Sequence, residues 1–99
     1  MENNDIFNNE LTPPTTVDEA VNRLLIILNE PERMAIASAE EDELIEFHFG
    51  LGAAIRNAFA LHNPSSHLLL DCGTSIHPDD ASLIIIKSLW KRLRNASKV

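Results

Sequence analysis

The sequence predicts an all-α fold: a small single-domain helical bundle with three main helices and one or two short ones. Three observations predict it. Apolar residues recur at 3.6-residue spacing in three separate stretches, beginning near residues 17, 41 and 78. No alternating apolar–polar run of useful length occurs in the 99 residues. Leu83–Ile86 would pass for a buried strand in isolation, but it lies inside a longer helical pattern. The composition, 44% hydrophobic and 23% charged with three Gly and five Pro, is that of one ordinary globular domain.

Residues 1–15 are polar, rich in Asn, and end in Pro13–Pro14. Without periodicity they predict a flexible tail, with Ile6, Phe7 and Leu11 as its means of docking on the body. The helical domain then spans 16–99. Thr16 suits an N-cap, and Glu19 stands at the capping-box spacing. Val17, Ala20, Val21, Leu24, Leu28 and, at the margin, Ile27 share one face of this first helix, while Ile26 lies nearly opposite. Pro31 fits the first turn of a short second helix, with Met34, Ile36 and Ala37 as its apolar side.

The acidic run Glu40–Glu43 suits the start of a third helix, where the helix dipole favours negative charge. That helix is expected from about Glu41 to Leu61. Leu44, His48, Leu51, Ile55, Phe59 and His62 fall on one arc, wide enough for the central helix of a bundle. Gly52 lies within the arc and marks a kink or a close approach. Ser65 or Ser66 caps a short helix through Leu68–Leu70, which Gly73 ends. Pro78, Asp79 and Asp80 open the last helix, with Leu83, Ile86, Leu89, Trp90 and Leu93 as its buried stripe.

Two blocks carry a resemblance. His48, Phe49, Leu51, Gly52, Ile55, Arg56, Asn57 and Phe59 form the first; His77, Pro78, Asp79, Asp80, Ala81 and Ser82 form the second, followed by Trp90. Over residues 16–94 the chain resembles a family of small bacterial proteins of unknown function with such blocks. His62 stands where relatives often carry Trp. The resemblance implies a compact helical domain and supplies no activity, substrate or cofactor.

The residues that invite chemistry are His48, Arg56 and Asn57 on the middle helix and His77, Asp79 and Asp80 at the start of the last. An imidazole amid apolar residues needs a hydrogen-bond partner, and a partly buried Arg demands a carboxylate or carbonyl. Two readings follow: a polar clamp between the two helices, or a recessed pocket for a small ligand or a partner's side chain. No catalytic residue is assigned, because neither a nucleophile nor a second motif accompanies them. No metal or other cofactor is expected. His62, His67, Cys72 and His77 stand five apart, matching neither zinc-finger loops nor one helix face. Ser65, Ser66 and His67 lack a nucleophile elbow.

Ile26, Ile84 and Ile85, off the centres of their stripes, together with Lys87, Lys91 and Arg94 form the expected partner surface. The expected function is a small protein–protein interaction module, either an adaptor or an antitoxin- or immunity-like inhibitor. The alternative is a small-ligand or metal sensor built on the His/Arg/Asp group. The partner is an unidentified protein, with a homodimer as the second expectation.

A net charge of −7 argues against nucleic-acid and anionic-membrane partners. The longest purely apolar run, Leu24–Leu28, is far short of the roughly 20 residues of a membrane span. The N-terminal stretch has no signal-peptide pattern, and the lone Cys72 suits a reducing compartment, so a cytoplasmic protein is expected. The charge is divided: residues 1–46 hold 12 acids and 2 bases, and residues 47–99 hold 3 acids and 6 bases. An acidic N-terminal half should therefore face or flank a basic last helix.

Overall fold

The computed structural model describes residues 13–97. All regular structure among them is helical: α1 (Val17–Ile27), α2 (Glu30–Ser38), a 3-10 helix (Glu41–Phe47), a π-helix (His48–Gly52), α3 (Ala53–Ala58), α4 (His67–Cys72) and α5 (Pro78–Ser97). The tail expected at 1–15 falls largely outside the described residues. Pro14, assigned to it, is fully buried. None of these helices is long and apolar enough to cross a membrane.

Thr16 caps α1 as expected, its hydroxyl accepting from Glu19 N at 3.1 Å. The return bond is displaced by one residue: Glu19 Oε1 accepts from Thr15 N at 2.9 Å and from the Thr15 hydroxyl at 3.2 Å. Those bonds, the backbone one foremost, hold the Glu19 carboxyl below its ordinary value. Asp71 of α4 supplies a further cap, its Oδ2 accepting from Val17 N at 2.8 Å. One of the unpaired N–H groups that every helix start carries is thus satisfied from 54 residues away. Ala20, Val21, Leu24 and Leu28 are buried.

α2 begins at Asn29, two residues before Pro31, because Asn29 and Glu32 form a reciprocal capping box with bonds of 2.9 and 2.8 Å. Ile36 faces the core. Met34, expected beside it, is 59% exposed. Two residues along a helix turn the side chain by about 200°, so Met34 and Ile36 cannot share a face. The end of α2 is held by α5: the Ala39 carbonyl accepts from Trp90 Nε1 at 2.8 Å and from Arg94 Nη1 at 3.1 Å. Arg94 also lies over the Trp90 ring, 5.0 Å from its centre. A cation at a helix C-terminus complements the dipole.

The single helix expected over 41–61 is instead three segments. With three residues per turn in the 3-10 stretch, Leu44 and Phe47 line up inward. The wide π turn follows, and α3 then buries Ile55 and Arg56. α3 stops at Ala58, and His62, expected on its apolar arc, lies exposed beyond it. Its end is a Schellman turn: Leu61 N donates to Arg56 O at 3.0 Å, with Ala60 at φ 57° in the left-handed position usually taken by Gly. Ser66 caps α4, and Gly73 follows it, as expected.

The central element is α5, not the middle stretch; it packs against every other helix. Having neighbours on several sides, it buries a broader face than the stripe read from sequence. Ala81, Ser82, Ile85, Ile86 and Leu89 are fully buried, while Leu83, Trp90 and Leu93 are only partly so. Ile85 is therefore core and is removed from the expected partner surface.

Candidate functional site

The expected polar group divides. Arg56 reaches α5 from α3 and is 10% exposed at its side chain. Its Nη1 donates to Ser82 Oγ at 3.0 Å, and its Nε lies 3.4 Å from Asp79 Oδ1. The Ser82 hydroxyl in turn donates to the Asp79 carbonyl at 2.9 Å. Arg56, Asp79 and Ser82 thus form a closed ring of bonds across the α3–α5 contact. Gly52 makes the approach feasible: a Cβ there would lie 3.1 Å from Arg56 Nη1 and 3.5 Å from Ser82 Oγ. His48 Nε2 stands 4.0 Å from Asp79 Oδ2, at the edge of this ring.

His77 plays a different part. Its carbonyl accepts the first α5 bond, from Ala81 N, and its Nδ1 accepts from Asp79 N at 3.0 Å. It is the N-cap of α5, and an Nδ1 that accepts a backbone proton carries none of its own. The same Nδ1 stands 3.9 Å from Asp79 Oδ2. Asn57 and Asp80 are exposed and stand outside the ring. Ser82 was missed in the sequence, although it ends the second block.

Half of the expected partner surface is engaged within the fold: Ile85 in the core, and Lys87 and Arg94 with the N-terminal half. Lys87 Nζ pairs with Glu41 Oε2 at 2.6 Å, which lowers the Glu41 carboxyl. Arg92 donates to Asn22 Oδ1 at 2.9 Å and lies 3.8 Å from Asp18 Oδ1. With Arg94 on Ala39, the basic last helix meets the acidic half within one chain. Ile26 at 79% exposure, Ile84 at 36% and Lys91 remain outward.

His62, His67 and His77 are exposed, and Cys72 is half-buried. Among the described residues no three His, Cys, Asp or Glu side chains converge in a metal-holding group. Burial, with Asp71 adding to it, pushes the Cys72 thiol up to about 11. Its Sγ lies 3.7 Å from the Ala81 carbonyl.

A second feature was not foreseen. An open groove of about 390 Å³ runs between the end of α1, α2 and the π-helix. Leu28, Ala35, Ile36, Phe47, Leu51 and Ala54 line it, with Glu32 and Gly50. Three large exposed apolar residues, Ile27, Met34 and Phe49, are each the chain neighbour of a lining residue. Phe49 is 85% exposed. Its position well off the apolar arc was the one sequence signal for this surface.

A family pattern described as a domain of unknown function (DUF6794) matches residues 13–93. The chain belongs to this family. No curated protein and no solved structure matches it. The DUF6794 domain takes in both the Arg56–Asp79–Ser82 ring and the groove, and its first matched residue stands beside the buried Pro14.

Proposed function

We propose that this DUF6794 domain is a protein-interaction module that binds through the α1–α2–π groove, in the manner of an adaptor or an inhibitor of the antitoxin or immunity kind. The exposure of Phe49 carries the reading. A lone exposed Leu or Ile is ordinary, but a Phe left 85% in water, one residue along the chain from the lining of an apolar groove, is not, and the exposed Ile27 and Met34 likewise adjoin lining residues in sequence. Phe49 also sits in a π-helix, a winding that is rare and recurs at functional sites. The polar ring, whose donors and acceptors meet one another, is assigned to holding α3 on α5.

A photo-crosslinking residue at position 49, introduced in the native host, tests this. The expected result is a discrete adduct with another polypeptide from position 49 and none from the exposed Asn57. Equal yields from both positions would overturn it. A large saturable thermal shift with a metabolite or Zn²⁺, without any adduct, would favour the sensor alternative.

A further inference from the structure

We infer that the start of α5 is a proton-operated latch: protonation of His77 releases the cap of α5 and hands the imidazole to the Asp79 carboxylate that holds Arg56. The latch is independent of the groove. α1, α2 and α4 are capped by the side chains of Thr16, Asn29 and Ser66, whose oxygens accept a hydrogen bond across the whole physiological pH range. α5, the helix that packs against every other, is capped instead by an imidazole. His77 Nδ1 accepts from Asp79 N at 3.0 Å, and the side chain is 67% exposed, so a proton from solvent reaches it. Imidazole is the side chain whose charge ordinarily changes between pH 5 and 8. With both ring nitrogens protonated it is a donor only, and the Asp79 N–H loses its acceptor.

The same geometry sets where the new N–H goes. Asp79 Oδ2 lies 3.9 Å from His77 Nδ1, outside hydrogen-bond distance but close enough for a side-chain rotation to close the gap. Arg56 of α3 stands 3.4 Å from the other oxygen, Oδ1, and so leaves Oδ2 to the imidazole. Among the described residues the competitor for Oδ2 is His48 of the π-helix, whose Nε2 is 4.0 Å away. Carboxylates elsewhere on the elements packed against α5 have other partners: Asp71 of α4 holds Val17 N, Glu41 of the 3-10 helix pairs with Lys87, and Asp18 of α1 lies by Arg92. The Cys72 thiol of α4, pushed up to about 11 by burial, carries no charge in this range. Asp80, the next residue of α5, is exposed. In the latched state Asp79 is held between two cations, one on each oxygen. One bond replaces another, so the exchange is read from the bonds themselves.

Nuclear magnetic resonance on the isotope-labelled full chain tests this. A nitrogen–nitrogen coupling across the bond from Asp79 N to His77 Nδ1 is expected at about pH 8 and should be lost by about pH 5, in step with protonation of the His77 ring. The Asp79 carboxyl carbon should shift in step with that ring. It should not do so in His77→Asn, because an Asn cap carries no charge; Asn29 already caps α2 in this chain.

Absence of the coupling at the higher pH overturns the latch by removing the cap it depends on. A coupling that persists at the lower pH, with Nδ1 still unprotonated, makes His77 a fixed cap and overturns it too. A ring that protonates while the Asp79 carbon stays still means that the imidazole is released to water, not to the carboxylate. A carbon shift that survives in His77→Asn and disappears in His48→Gln gives the carboxylate to His48, and the latch on His77 falls.

Discussion

The clamp and the groove share one short stretch, residues 47–58, which treats its side chains in opposite ways on its two sides. On the α5 side, Arg56 sets its donors against Ser82 and Asp79. Among the described residues, no buried side-chain nitrogen or oxygen lacks a partner. On the α2 side, Phe47, Leu51 and Ala54 border open space, and Phe49 stands in water. His48 lies between the two, 4.0 Å from Asp79 Oδ2 and in an edge-on ring contact with Phe49 at 4.9 Å. The difference separates fold from recognition. A buried unpaired polar group costs stability directly, so the clamp must close. An exposed apolar group costs little in the folded monomer, so the groove can stay open for a partner.

The sharpest break of this contrast is Arg56→Ala. It removes the buried guanidinium from which Ser82 Oγ accepts, while the Ser82 hydroxyl keeps its bond to the Asp79 carbonyl and the half-exposed Asp79 carboxylate turns to water. The expected loss, from the missing bond and the lost packing of a buried side chain, is about 2 kcal/mol, read as a lower denaturation midpoint in urea. Binding at the groove should survive wherever the variant remains folded. If Arg56→Ala melts like the parent but loses its partner, the clamp is the recognition site and the assignments are exchanged.

Cys72 sharpens the closed side. With the folded thiol at about 11 against an ordinary 9.0, its thiolate at neutral pH is roughly a hundredfold scarcer than that of a free thiol. Alkylation by iodoacetamide at pH 8 should be correspondingly slow until the chain unfolds. Because the folded value is raised, the unfolded thiol ionises first. The stability this burial contributes is present below pH 9.0 and is lost as pH rises toward 11.

What the sequence disclosed follows from which signals are local. Thr16, Ser66 and Pro78 mark helix starts because caps and fixed φ act over three or four residues. The clamp was legible as a set of residue types, since a semi-buried Arg needs an anion; its membership was not, because Ser82 in place of Asn57 and Asp80 depends on how α3 meets α5. The middle stretch was misread for a physical reason. A 3.6-residue period placed His48 after Leu44, whereas the 3-10 winding places Phe47 there. The end of α3 was invisible because Ala60 occupies a position that Gly normally announces. The groove needs three elements at once, and no single window contains them.

That misplaced signal gives a smaller effect. Ala60 holds φ 57°, which costs a residue with a Cβ but not glycine. Ala60→Gly should raise stability by up to about 1 kcal/mol, with part of the gain offset by the greater freedom of glycine in the unfolded chain. Asn29→Ala, which removes the capping box at α2, should cost about 1 kcal/mol. Because α2 forms one wall of the groove, it should also weaken binding there, whereas Ala60→Gly should not. Thermal melts paired with the crosslinking yield at position 49 separate the two.

Phe49→Ser should have the smallest effect on stability and the most informative one on function. The ring is 85% exposed, and its one ring partner is the edge of His48. Removing it exposes no core and strands no donor, so the expected change lies within about 0.5 kcal/mol of the parent. If the groove is a recognition surface, the same change should weaken capture of the crosslinked partner severalfold, because an exposed aromatic supplies contact area at little entropic cost. A destabilisation of 2 kcal/mol or more would mean that Phe49 is structural in solution and that the division between closed and open sides fails at His48. A neutral melt with unchanged binding would leave Phe49 outside the binding surface and remove the observation on which the groove reading rests.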